Sequence, residues 1–171
     1  MLNTKVTFTL ESNLLRDYLG YLFEKSSRDE YIVTARNDFG KLLIAHLKAA
    51  DREPTTKSSC RTVTLQLPSN DATLNFNNKY VYYTEQSTHQ LNKALSAIFN
   101  MDFWMHCIQG RSVDLRKDEM VESFILSRRL FSQDLFETLH KRAYRKDLET
   151  LKLLNKKLTK RYYYLEGLYR K

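Results

Sequence analysis

The C-terminal part of the sequence contains a long stretch that no helix-breaking residue interrupts. From Gln133 to about Leu168 there is no proline, and Gly167 is the first glycine. Because proline and glycine commonly end helices, this pattern predicts a helix of up to 36 residues, which would be about 54 Å long. A helix of that length cannot pack wholly within a small domain, so we expect it either to break or to project.

The N-terminal part of the sequence has a different pattern, in which short alternating runs precede helical ones. Residues 5–10 and 62–67 alternate apolar and polar side chains, as in half-buried strands. Ser12 and Asn37 each stand before a run with helical spacing, and both residue types are good helix N-caps. These residues therefore predict two strands and two capped helices.

Further elements follow from the same patterns. Short β segments are predicted at 31–35, 74–76 and 80–83. The polar segments 51–60, 68–71 and 77–78 are predicted as loops or turns. Helical spacing resumes at about Thr84 and extends to about Ile108. A further helix is predicted over 117–129, followed by a turn at 130–132 in which Ser132 caps the next helix.

The order of these elements indicates an α+β fold. We predict an N-terminal mixed α/β unit of about four strands and three helices in residues 1–110. An all-helical basic segment that ends in a long helix is predicted for residues 111–171.

Few features of the sequence support catalysis or membrane insertion. No run approaches 18 apolar residues, and the N-terminal residues lack a signal-peptide pattern. The two cysteines, Cys60 and Cys107, lie far apart and are expected to be reduced thiols of a cytoplasmic protein. The common nucleotide-binding, hydrolase and metal-site motifs are missing from the sequence, so we expect no enzyme activity, cofactor or metal.

The remaining catalytic candidates have simpler interpretations. His106 and Cys107 are adjacent, so on a helix their side chains point apart, and a core position is the expected one. Glu137 and His140 have the spacing of di-metal helix bundles, but the sequence has no second copy of the motif. Tyr144 as a nucleophile for DNA strand transfer is chemically possible, although its spacing is also that of an ordinary basic helix.

The positive charge of the chain is concentrated at its C-terminal end. The sequence has a formal net charge of +8, of which residues 1–110 contribute only +1. Residues 111–171 contain 16 Lys and Arg against 9 Asp and Glu, a net charge of +7. Such a concentration favours a polyanionic partner, and we expect nucleic acid, with DNA ahead of RNA. The competing interpretation is a solvated helix face that binds nothing.

The predicted nucleic-acid-binding residues lie in the helices after residue 130. Lysine and arginine would hold phosphates or guanine edges, and glutamine could pair with adenine. The predicted residues are Gln133, Lys141, Arg142, Arg145, Lys146, Lys156, Lys157, Lys160 and Arg161. The helices at 117–129 and from 133 onward could form a helix-turn-helix, but a plain helical hairpin fits the same pattern.

The same long helix carries an apolar seam with heptad-like spacing. Its predicted members are Tyr144, Leu148, Leu151, Asn155, Leu158, Tyr162 and Leu165. This stripe could join a partner helix, in which case the protein would be an assembly module or homo-oligomer. It could equally pack back on the α/β part of the same chain. The leading prediction remains a non-enzymatic, DNA-binding protein without a membrane partner.

Overall fold

The chain has the α+β architecture that the sequence predicts. A computed structural model describes residues 4–52, 59–69, 73–76 and 79–167. In these ranges the strands are β1 (Lys5–Thr9), β2 (Tyr31–Ile32), β3 (Lys48–Ala50), β4 (Thr62–Gln66) and β5 (Tyr80–Tyr82). The helices are α1 (Asn13–Leu22), α2 (Asp38–Ala45), α3 (Glu85–Ser112), α4 (Lys117–Arg128), α5 (Leu135–Tyr144) and α6 (Leu148–Gly167).

A three-stranded sheet with the order β1-β4-β2 forms one wall of the core. β4 is its central strand and pairs antiparallel with β1, with Val6 opposite Leu65, and parallel with β2. Val6, Phe8 and Leu65 are almost completely buried, while the residues between them are more exposed. The predicted alternation of 5–10 and 62–67 is therefore confirmed.

A second, two-stranded sheet pairs β3 with β5 in antiparallel orientation. β5 confirms the β segment predicted at 80–83, whereas β3 was not predicted. The β segment predicted at 74–76 is wrong, because Leu74–Phe76 forms a short 3-10 helix. The predicted loop 51–60 and turns 68–71 and 77–78 lie partly or wholly outside the described residues.

Side-chain caps begin the helices of the N-terminal part. Ser12 Oγ accepts a hydrogen bond from the Leu15 amide at 3.2 Å, and Asn37 Oδ1 accepts one from the Gly40 amide at 2.6 Å. Thr84 caps α3 in the same way through the Ser87 amide. A cap satisfies an amide that the helix itself leaves without an acceptor, so these three residues define where the helices start.

The longest helix, α3, is the element around which the core is built. It packs against α1, α2, α4 and α6, and its fully buried residues include Leu95 and Phe103. α3 continues past the predicted end at Ile108 to Ser112, so Gly110 lies inside it. A Cβ atom at Gly110 would come within 2.5 Å of the Met120 side chain on α4, so glycine allows the close approach of these two helices. The division of the chain at residue 110 stays a prediction.

A polar network joins α3 to α1 and α4. Asp102 accepts two hydrogen bonds from the Arg128 guanidinium, at 2.8 and 2.9 Å, and one from the Tyr18 hydroxyl at 3.0 Å. Burial and the nearby Asp102 carboxylate raise the pKa of Tyr18. The bond to Asp102 raises the pKa of Arg128. This network connects the C-terminal end of α4 to α3 and α1.

The predicted 36-residue helix breaks into two. α5 ends at Tyr144 and α6 begins at Leu148, and the Asp147 carboxylate accepts a hydrogen bond from the Thr150 amide at 2.7 Å. The prediction of Ser132 as the cap of this helix is wrong. The cap position is Asp134, which has a left-handed backbone and makes no capping side-chain bond. Among the described residues, no helix is long and apolar enough to cross a membrane.

Candidate nucleic-acid interface

A cleft between α3 and α5 brings four of the predicted binding residues together. Its volume is about 430 Å³, and it is lined by Trp104, Thr138, Lys141, Arg142, Arg145 and Lys146. Thr138, Lys141 and Arg142 lie on α5, and Arg145 is its C-cap residue; their spacings of three and four residues place them on one face of the helix. Trp104 lies on α3 and supplies the opposite wall.

The position of α5 is fixed by bonds at both of its ends. At its C-terminal end, the Arg111 guanidinium donates to the carbonyl oxygens of Ala143 and Lys146, at 3.1 and 2.6 Å. At its N-terminal side, Asp17 Oδ2 accepts bonds from the Phe131 amide and the Ser132 hydroxyl. The last carbonyls of a helix lack amide partners, so Arg111 satisfies groups that would otherwise face solvent. The cleft is therefore attached to α1 and α3.

The cleft is strongly positive. None of its lining residues is acidic, and four of them carry a positive charge. Lys141 forms an exposed ion pair with Glu137 at 3.3 Å, which is worth little in water. Arg142 and Arg145 are exposed and have no carboxylate within 4.0 Å among the described residues. Both guanidinium groups are therefore available to an anion.

A second basic cluster lies on the outer side of α6. Lys156, Lys157, Lys160 and Arg161 are all exposed. In the part of the chain that the structure describes, none of the four has a carboxylate within 4.0 Å. Tyr163 and Tyr164 extend this surface and are 59% and 67% exposed. The four charges and the two rings face away from the buried side of α6.

The predicted apolar seam faces the interior of the same chain. α6 packs most extensively on α3, and Leu151, Asn155 and Tyr162 are buried there. The Asn155 side-chain amide donates to the Met101 carbonyl oxygen at 3.1 Å, and its oxygen accepts from the Thr159 hydroxyl. These three side chains are thus not exposed to a partner helix.

The other members of the seam differ in position. Leu148 and Leu158 are half-buried, and Leu158 packs against the core cluster. Tyr144 is 66% exposed, and the side chain of Leu165 lies outside the described residues. The seam is therefore mainly an internal packing stripe, which is one of the two alternatives that its spacing allowed.

Gln133 is exposed and lies in the linker between α4 and α5, because α5 begins only at Leu135. Six residues, 129–134, separate these two helices. That connection is longer than the three or four residues of a helix-turn-helix unit. Gln133 lies outside the lining of the cleft.

A row of aromatic rings along α5 was not among the predicted sites. The Phe136 and His140 rings are stacked 5.6 Å apart, and the Tyr144 ring follows at 6.1 Å. The Lys117 ammonium lies 3.7 Å from the centroid of the Tyr144 ring. Spacing of four residues between rings is the sequence signal that could have found this row. Neighbouring rings of the row contact one another along α5.

The histidine and cysteine candidates have structural surroundings. His106 Nε2 lies 2.8 Å from the Ser123 hydroxyl, and burial lowers the pKa of His106. Cys107 is completely buried, and burial raises the pKa of its thiol to about 12. A thiol with such a pKa is almost wholly protonated near neutral pH and is a poor nucleophile. Within the described ranges, no group of three or more His, Cys, Asp or Glu side chains could hold a metal.

Comparisons with known proteins add no relative to this description. The sequence matches no family model, and neither the curated proteins nor the solved structures gave a match. The chemistry of the cleft and of the α6 cluster is consequently the basis for any function.

Proposed function

We propose that the protein binds nucleic acid, and double-stranded DNA in particular, through the basic side chains of α5 and α6. The observation that carries this proposal is the exposure of uncompensated positive charge on both helices. Seven of the nine lysines and arginines between Lys141 and Arg161 have no carboxylate within 4.0 Å among the described residues. A basic face that merely keeps a protein soluble needs no such separation from acidic groups.

The arrangement of the charges also suits an extended polyanion. α6 has 20 residues and is therefore about 30 Å long. Phosphates of a DNA strand recur along a comparable length, and each phosphate held by lysine or arginine releases condensed counterions. Binding of this kind depends on the backbone charge, so it tolerates many sequences and weakens steeply as salt rises.

The experiment is a salt titration of binding to a fluorescently labelled duplex of random sequence, followed by fluorescence anisotropy. The test variant replaces four exposed basic residues of α6 by glutamine: Lys156, Lys157, Lys160 and Arg161. If all four contact phosphates, the slope of log K against log salt concentration becomes shallower by about 3.6, which is 0.9 for each lost contact. Fewer contacts give a proportionally smaller change.

A matched control variant removes the same charge from residues 1–110. It replaces three lysines and one arginine, all exposed, by glutamine: Arg36, Lys48, Lys79 and Lys93. This variant has the same net charge as the test variant and should keep the wild-type slope. The proposal is refuted if the wild type does not bind at about 50 mM salt, where counterion release is most favourable. It is also refuted if the two variants lose affinity equally.

A further inference from the structure

The cleft between α3 and α5 has a shape that binding to a duplex surface does not require. Its volume of about 430 Å³ lies within the range of roughly 300–1,000 Å³ that is typical of small-molecule sites. A bare phosphate ion would leave much of this space empty, and a duplex held by the same cations would lie across the opening of the cleft and not inside it. A ligand with the size of a small organic molecule therefore fits this volume.

The charges of the cleft indicate that a matching ligand carries an anionic group at one end. Four cationic side chains line the cleft, and no acidic side chain does. Arg142 lies in the last turn of α5, and Arg145, the C-cap residue, follows three residues later, so both guanidinium groups can approach a single anionic group. Arginine matches phosphate oxygens with paired N–H donors, which makes phosphate the anion that fits best.

The remaining surface of the cleft defines the other end. Trp104 lines the cleft together with Lys141 and Lys146 and is 7% exposed, so a small part of its side chain is accessible there. Guanidinium planes also stack on flat rings. Thr138 donates its hydroxyl proton to the Asp134 carbonyl at 3.0 Å, which leaves its oxygen free to accept a hydrogen bond. A flat, partly apolar body with donor groups suits this wall.

From this combination we infer that the cleft binds a nucleoside monophosphate unit, with the phosphate on Arg142 and Arg145 and the base toward Trp104. The unit is either a free mononucleotide or the 5′-phosphorylated end of a strand, since both have the same chemistry. This site goes beyond duplex binding, because it can exist whether or not the surface of α6 holds DNA.

The first measurement is equilibrium dialysis of the full chain with labelled AMP, compared with adenosine and with inorganic phosphate. AMP should be retained saturably and more strongly than either of its parts. The sequence contains a single tryptophan, Trp104, so a saturable change of its fluorescence during the AMP titration places the ligand in the cleft. No retention of AMP up to about 1 mM, where a site of millimolar affinity would be half filled, overturns the inference.

Variants locate the phosphate. Arg142→Gln and Arg145→Gln, made separately, should each weaken AMP binding about tenfold or more, since each removes a charged hydrogen bond to the phosphate. The matched controls are Arg28→Gln and Arg36→Gln. They remove exposed guanidinium groups that are distant in sequence from the cleft residues, and they should leave the AMP affinity unchanged. Equal losses in the two sets would overturn the inference, because they would mean non-specific attraction.

The source of the nucleotide is tested with short single strands. A free-nucleotide site retains AMP but does not distinguish a 5′-phosphorylated strand from an unphosphorylated one. A strand-end site binds the phosphorylated strand more tightly, by about the factor that separates AMP from adenosine. Failure of the duplex proposal would leave AMP binding intact, whereas duplex binding with no AMP retention would overturn only the cleft site.

Discussion

Replacing Leu151 by alanine tests whether α6 is held by its own chain. Leu151 is completely buried in the core cluster, on the side of α6 that packs against α3. Truncation removes three carbon atoms from water-excluded contacts and leaves a cavity that a close-packed interior fills only in part. Leu→Ala changes at such positions cost about 2–5 kcal/mol, and we expect about 3 kcal/mol here.

The assay is urea unfolding followed by circular dichroism. With a slope of about 2 kcal/mol per molar urea, the expected loss lowers the unfolding midpoint by about 1.5 M. Leu153→Ala is the matched control, because it makes the same change on the same helix at a side chain that is 67% exposed. That variant should stay within about 0.5 kcal/mol of the wild type.

Protein concentration separates internal packing from packing between chains. If Leu151 packs against this chain's own α3, the midpoints of wild type and Leu151→Ala do not depend on concentration. If it packs against a second copy, the wild type becomes less stable on dilution, and the difference between the two proteins shrinks. Similar losses for Leu151→Ala and Leu153→Ala, or a midpoint that falls on dilution, would refute the reasoning.

Three further predictions concern the core and the thiols. Asp102→Asn should lower the free energy of unfolding by about 2 kcal/mol, because Arg128 loses its carboxylate acceptor. Calorimetry should show a melting temperature about 4–8 °C lower, and an unchanged value would contradict the proposed network. Burial and the nearby Arg128 charge lower the pKa of His106 from 6.5. The stability that neutral His106 contributes is therefore complete above pH 6.5 and is lost as the pH falls toward the pKa of the folded state. His106→Gln should therefore flatten the pH dependence of urea unfolding below about pH 6.5, and an unchanged slope would argue against it. A thiol-specific reagent should modify exposed Cys60 in the native protein and buried Cys107 only after unfolding; two reactive thiols in the native state would exclude this burial.

The parts of the fold that were predictable from sequence depend on neighbouring residues. Ser12 and Asn37 cap helices through amides three residues away, so their effect can be seen in a short window. β3 was missed because Lys48–Ala50 has little β propensity, and it becomes a strand only by pairing with Tyr80–Tyr82 from a distant part of the chain. Tertiary pairing therefore decided what local propensity could not.

In the long C-terminal helix, by contrast, a local signal was present in the sequence and was not used. Its break was one of two expected outcomes, but its position was not predicted. The Asp147 carboxylate accepts a hydrogen bond from the amide of Thr150, three residues later. An aspartate placed just before a helical run is a local signal of a helix start. The prediction used only the absence of proline and the late position of glycine, and it did not use this signal. At this break the cap is a better indicator of the helix boundary than the lack of breakers, whereas at the start of α5 the predicted cap, Ser132, was wrong.

In the candidate site, too, some features follow from local sequence and others only from the tertiary fold. Exposure of Lys141, Arg142 and Arg145 follows from their charge and from the helical spacing of their apolar neighbours, both of which are local. The cleft does not follow from these, because its other wall is Trp104, more than 30 residues earlier. Only the fold of α3 against the later helices brings the tryptophan to the basic face of α5.

The two basic surfaces differ in what stands opposite them, and this difference bears on what each can recognise. The rest of the chain holds both helices: Arg111 bonds to the carbonyls at and just after the end of α5, and Asn155 of α6 bonds to the Met101 carbonyl on α3. The cleft cations face a second wall, Trp104, whereas the α6 cations lie on an outer, exposed face. An open face can hold phosphates at many registers, whereas a cleft with a second wall restricts the geometry of its ligand. General affinity for a polyanion therefore suits α6, and discrimination between small anions suits the cleft.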